Sequence, residues 1–202
     1  MDWDRFYAED LLEVLQSSAT LTGIMEPAAG IYIWKLRLRP SCHPNDVDSL
    51  MKHIDRVSSL PQGRIRDVSL SRSMLLEGLR MGGSGLPEGK MDSLRQLAQS
   101  KKGATYLFRY LESLEARTPG LYCGEAGNIP ARLAQHLSGK TDFSEAVHAD
   151  PELSWGDLLV EILVTGQAQD EGVETNQRTS RRRAMEYLTT LMTSSMFTQR
   201  AG

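Results

Sequence analysis

Apolar and polar residues follow two rhythms along this chain, and the switches between them mark most of its predicted elements. From Arg5 to Ser17 the apolar residues Leu11, Leu12, Val14 and Leu15 recur at helical spacing, which predicts an opening helix. Gly30 to Leu38 keeps a period of two instead. Ile31, Ile33, Lys35 and Arg37 share one face of that predicted strand, and Tyr32, Trp34, Leu36 and Leu38 share the other. Helical spacing returns with Val47, Leu50, Met51, Ile54 and Val57, started by Asn45 and Asp46 and closed by Pro61 and Gly63. Arg64 to Leu70 reads as a second strand, completing a β-α-β element. Met74 to Met81 reads as a helix running into the Gly-rich stretch from Gly82 to Gly89, and Lys90 to Ser100 as a short helix.

The second half is more regular. Ala104 to Leu111 and Gly120 to Ala126 are short runs of aromatic and branched residues, separated by the turn-prone Glu115 to Gly120, and both are expected as strands. Asn128 suits the cap of the next helix, Pro130 its first turn and Gly139 its end. Asp157 to Thr165 is a buried-looking strand. A last helix from about Thr179 to Met196 gathers Ala184, Met185, Leu188, Leu191, Met192 and Met196 on one side. The order β-β-α-β-α predicts an α/β chain of the α+β type. Its core would be a small mixed or antiparallel three-stranded sheet flanked by helices over residues 101–202, with an N-terminal α/β region over residues 1–100 for target or partner recognition.

Composition changes this picture little. Across 202 residues, 40% hydrophobic and 24% charged content is ordinary for a globular chain with one good core and room for a smaller partner. Cys42 and Cys123 are too few for a disulfide framework, the first residues lack the layout of a signal peptide, and no apolar run is long enough to span a bilayer. These features predict a cytoplasmic protein without membrane association. A net charge of −3 gives no general affinity for nucleic acid, yet Arg178, Arg181, Arg182 and Arg183 are dense enough to face phosphates. Taken singly, each of these features also reads as ordinary surface.

The segment from Gly103 to Lys140 carries the candidate chemistry. Tyr122-Cys123-Gly124 is followed by Arg132 and, one helical turn on, by His136; Ala104-Thr105-Tyr106 precedes them, and Glu186 sits among apolar residues of the last helix. In this order the C-terminal half resembles the GIY-YIG nuclease superfamily. Tyr122-Cys123-Gly124 stands in the place of YIG, and Ala104-Thr105-Tyr106 in the place of GIY with its glycine and isoleucine replaced. Thr198 and Gln199 stand where the family often has an asparagine. The triplet Gly30-Ile31-Tyr32 is set aside at this stage, because pairing it with Tyr122 would enclose about ninety residues in a hairpin that the family closes with a short loop.

The resemblance implies a metal-dependent endonuclease that hydrolyses DNA, in restriction, defence or a mobile element, with RNA open as a substrate. Glu186 would hold Mg2+ or Mn2+, Arg132 would fork onto phosphate oxygens, and Tyr106 would be the proposed base. His136 would pass or hold the proton, and Tyr122 would position water or phosphate. These five would be the catalytic residues, with Arg178, Arg181, Arg182 and Arg183 clamping the nucleic-acid backbone. Double-strand cutting would call for a homodimer, and the N-terminal region would offer a surface for a protein partner. The alternative is a catalytically inactive GIY-YIG-fold module that binds nucleic acid or protein. On a helical wheel Glu186 lies away from the apolar stripe, so an ordinary solvated glutamate stays open there.

Overall fold

The computed structural model describes residues 3–17, 20–59, 85–151, 153–165 and 175–193. The elements expected at Arg64–Leu70 and Met74–Met81, and the positions of Thr198 and Gln199, lie outside them. In chain order the elements are β1 (Asp4–Tyr7), α1 (Ala8–Gln16), β2 (Gly30–Leu36), α2 (Val47–Ser59), α3 (Glu88–Ala98), α4 (Lys101–Glu115), β3 (Gly120–Ala126), α5 (Ile129–Leu137), α6 (Asp142–Ala149), β4 (Leu158–Val164) and α7 (Thr175–Thr193).

The chain divides into two compact units, one formed by Met1–Arg37 with Thr118–Gly202 and the other by Leu38–Arg117. The expected boundary near residue 100 therefore falls inside the second unit. Sequence alone misplaces it because the first unit is built from both ends of the chain.

The first unit is an α+β structure around an antiparallel four-stranded sheet in the order β1-β4-β2-β3. Every residue of β2 is buried, as befits a central strand flanked by β4 and β3. On one face Tyr32 and Trp34 meet His136 of α5 and Phe143 of α6. On the other, Ile31, Ile33 and Cys123 pack with Met185 of α7. The expected opening helix loses its first turn to β1, because Asp4 to Tyr7 pair with Ile162 to Leu159 of β4. Lys35 and Arg5 reach Glu161 at 3.2 and 2.7 Å, which explains how a central strand tolerates a buried lysine. The sequence reading had no helix at α6; Thr141 and Ser144 start it with a reciprocal capping box.

The described part of the second unit is built on three helices. Leu50, Met51 and Ile54 of α2 pack with Ala98 of α3 and with Ala104 and Leu107 of α4. The strand expected at Ala104–Leu111 is the middle of α4. Its apolar positions Ala104, Leu107 and Leu111 also fit a helical stripe, and the Ser100 hydroxyl caps the helix by accepting from the Gly103 N–H at 3.0 Å. The first and last residues of the unit are tied together. The buried Glu115 carboxylate accepts from the Leu38 and Arg39 N–H groups at 2.9 and 2.8 Å. The described residues of this unit thus form a folded insertion with adjacent ends, and the loop-closure entropy of about ninety free residues does not apply.

Gly30 opens β2 where the backbone of Leu163 and Val164 leaves no space for a Cβ. Gly30→Ala is expected to lower stability by about 1–3 kcal/mol, since the obstructing atoms are backbone and cannot rotate away. Urea denaturation checks this, and an unchanged midpoint would refute the tight β2–β4 approach.

Candidate functional site

The register between β2 and β3 sets Tyr32 opposite Gly124, Ile33 opposite Cys123 and Trp34 opposite Tyr122. Because side chains alternate across a strand, the phenols of Tyr32 and Tyr122 share one face, with ring centroids 6.1 Å apart. The triplet Gly30-Ile31-Tyr32, set aside on sequence grounds, therefore lies on the strand paired with β3, where Gly30 faces Ala126, Ile31 faces Glu125 and Tyr32 faces Gly124. Tyr106 lies on α4 of the helical unit and belongs to no strand. Gly124 has a clear steric reason: a Cβ there would collide with the Tyr32 hydroxyl, so a hydrogen lets that phenol cross β3.

Helix α5 brings Arg132 and His136 to the same face. It starts at Asn128, whose side chain accepts from the Ala131 N–H at 3.1 Å, and carries Pro130 in its first turn. One turn apart, the two side chains converge on one phenol. Arg132 Nε donates to the Tyr32 oxygen at 3.3 Å, and Tyr32 lies 2.9 Å from His136 Nε2. His136 Nδ1 lies 2.7 Å from Thr141 Oγ1, in the capping box that starts α6. A guanidinium can only donate, so Tyr32 accepts from Arg132 and has its own proton for His136 Nε2. The network then assigns the single proton of the imidazole to Nδ1, facing Thr141.

Tyr32 and His136 are fully buried, whereas Tyr122 and Arg132 are partly exposed. Burial, helped by neighbouring Tyr122, raises the Tyr32 phenol far above its usual range, against the pull of Arg132. Burial and the nearby guanidinium push His136 down to about 3, so it is neutral at physiological pH. For Arg132, burial opposes the charge, but hydrogen bonding to the Tyr32 and Tyr122 oxygens outweighs it and its pKa is raised. The site is a neutral, hydrogen-bonded pair beneath a rim of guanidinium and phenol. A phosphate could meet Arg132 and Tyr122 there while Tyr32 and His136 hold their positions.

Glu186 is elsewhere on the unit. Its helix α7 packs on the opposite face of the sheet, where its carbonyl accepts from Cys123 Sγ at 3.9 Å. Burial first, then the charge of Glu125, raise its pKa, with Arg183 acting against them. Arg182 Nε reaches Glu125 Oε2 at 3.1 Å, and Arg183 approaches Glu125 Oε1 at 4.0 Å. Of the arginines expected to clamp a nucleic-acid backbone, Arg182 is engaged by a carboxylate, Arg183 is exposed near the same one and Arg181 is exposed. The Arg178 side chain lies outside the described residues.

Among the described residues no three or more His, Cys, Asp or Glu side chains converge as a metal cluster. The Glu186–Glu125 pair nevertheless offers hard oxygen donors. Burial is the larger cause of the raised Glu186 and the charge of Glu125 the smaller, and Glu125 is itself already engaged by Arg182 at 3.1 Å. β3 is the edge strand of the sheet, so the phenol face and the α7 face meet along its outer side.

The structure thus unites Tyr122, Arg132 and His136, places Glu186 across the sheet, and leaves Tyr106 in the other unit. Sequence reasoning missed Tyr32 and Thr141. The intact Gly-Ile-Tyr triplet was the available signal for Tyr32, and Thr141 had one only in its spacing to Ser144. Comparison of the chain with protein-family models, curated proteins and solved structures finds no match.

The buried imidazole makes a pH prediction. The unfolded chain binds a proton to His136 near pH 6.5 and the folded chain only near 3, so stability falls as pH drops from 6.5 towards 3. His136→Gln is expected to flatten that decline by up to about 1.4 kcal/mol per pH unit. Urea midpoints of both proteins between pH 7 and pH 4 measure it, and parallel curves would contradict a buried neutral His136.

Proposed function

We propose that this chain is a nuclease of GIY-YIG type that hydrolyses phosphodiester bonds, with DNA as the first substrate to test. The observation that carries the reading is Tyr32. It ends an intact Gly30-Ile31-Tyr32, pairs with Gly124 on the strand that also carries Tyr122, and joins Arg132 to His136. Arg132 would grip phosphoryl oxygens with its planar fork, and Tyr122 beside it would orient the attacking water or the phosphate. Tyr32, kept protonated and bonded to His136 Nε2, would hold Arg132 in position by accepting from its Nε, with Thr141 fixing the imidazole from behind. Glu186, with Glu125 beside it, would hold the metal, which supplies Lewis-acid stabilisation of the phosphoryl charge when bound. Cys42 and Cys123 are both free thiols, which suits the reducing cytoplasm expected from sequence. No helix among the described residues is long and apolar enough to cross a membrane.

One observation favours a second reading, a non-cleaving module on the same scaffold: the carboxylate helix and the phenols occupy opposite faces of the sheet. Relaxation of supercoiled plasmid with magnesium and with chelator separates the two. Cleavage is expected with magnesium, falling at least about 100-fold in Arg132→Ala and in Tyr32→Phe, each folded by circular dichroism. Glu186→Gln is expected to raise the magnesium concentration needed for half-maximal rate. Failure to cut any DNA or RNA across several divalent metals would overturn the enzyme and leave the module.

A further inference from the structure

Helix α4 of the helical unit carries a face that the proposed catalytic cluster does not use. Its inner side is committed to the core through Ala104 and Leu107. Its outer side presents Lys101, Lys102, Tyr106, Arg109 and Tyr110, all exposed. The Tyr106 and Tyr110 rings are 61% and 49% exposed, a high exposure for adjacent aromatics. They lie nearly parallel as a stacked pair, 9° apart with centroids at 6.2 Å. Beside them a shallow recess of about 360 Å³ is lined by Lys101, Lys102, Thr105, Tyr106 and Arg109, with no carboxylate among these residues. On a chain of net charge −3, three cations line this recess without a carboxylate, and Glu112, exposed one turn beyond Arg109, is paired with Arg39 at 3.2 Å.

We propose that this face of α4 binds single-stranded DNA, with Lys101, Lys102 and Arg109 on the backbone phosphates and unpaired bases stacked on Tyr106 and Tyr110. Cations alone would serve any polyanion. The rings add selectivity, because in a duplex both faces of each base are already stacked, whereas an unpaired base offers a free π-face. The proposal deepens the nuclease reading by giving it a second contact with its substrate, and it rests on that reading only for the choice of DNA.

The test is fluorescence anisotropy of a labelled oligothymidylate with the full chain in chelator, where no metal-dependent cleavage occurs. The logarithm of the affinity is expected to fall with the logarithm of salt at a slope of about −2, reflecting three phosphate contacts. Lys102→Glu/Arg109→Glu and Tyr106→Ala/Tyr110→Ala should each weaken binding about tenfold or more, with melting curves unchanged because these side chains are exposed. Tyr106→Phe/Tyr110→Phe should bind like the parent, since stacking needs the ring and not the hydroxyl. Binding by the parent that both disruptive variants retain would overturn this surface and leave the nuclease reading intact. Loss of binding in those variants, together with no cleavage by the parent, would support the surface and overturn the nuclease. Equal affinity for duplex, equal competition by polyglutamate, preference for oligouridylate, or no binding by the parent would each overturn the proposal.

Discussion

The antiparallel pairing of β2 with β3 is the constraint on which the rest of the candidate site depends. It sets Tyr32 over Gly124 and beside Tyr122, and so fixes which face holds the phenols. Period-two geometry allows no intermediate: a slip of one residue would send Tyr32 to the α7 face and Ile33 to the helix that carries His136. The pairing joins residues about ninety positions apart, a separation that a flexible loop would make unfavourable. The ends of the intervening unit are held together, with Glu115 binding the backbone at Leu38 and Arg39, and this removes much of that cost.

That register divides the chemistry of the first unit between two environments. On the phenol face, burial keeps Tyr32 protonated and His136 neutral, and Arg132 brings the charge at the rim. Hydrogen bonds in such surroundings are strong and directional, and they hold two side chains still for a third partner. On the α7 face, Glu186 and Glu125 repel each other while Arg182 and Arg183 draw in. The first environment is a neutral hydrogen-bonded pair under a charged rim, the second a cluster of opposite charges. Their common border is the outer side of β3.

The helical unit has a different logic. Its cohesion comes from an apolar stripe on each of three helices, which needs no residue from the sheet. The outer face of α4 is thereby free of the core, and it carries exposed rings and cations together with Glu112.

Sequence alone determined the pieces whose signals are local. The Asn128 cap and Pro130 placed α5, which set Arg132 and His136 one turn apart. The apolar run at Leu158–Val164 gave a strand, and Val47 to Val57 an amphipathic helix. Tertiary structure alone decided which tyrosine joins them. Tyr106 and Tyr32 both sit in runs of aromatic and branched residues, and what separates them is a pairing partner distant in sequence and a capped helix start at Ser100. The placement of Glu186 was hidden for the same reason: a helical wheel gives an angle about the helix axis, whereas the face of the sheet that α7 covers is set by long-range packing of Met185 on Ile31, Ile33 and Cys123.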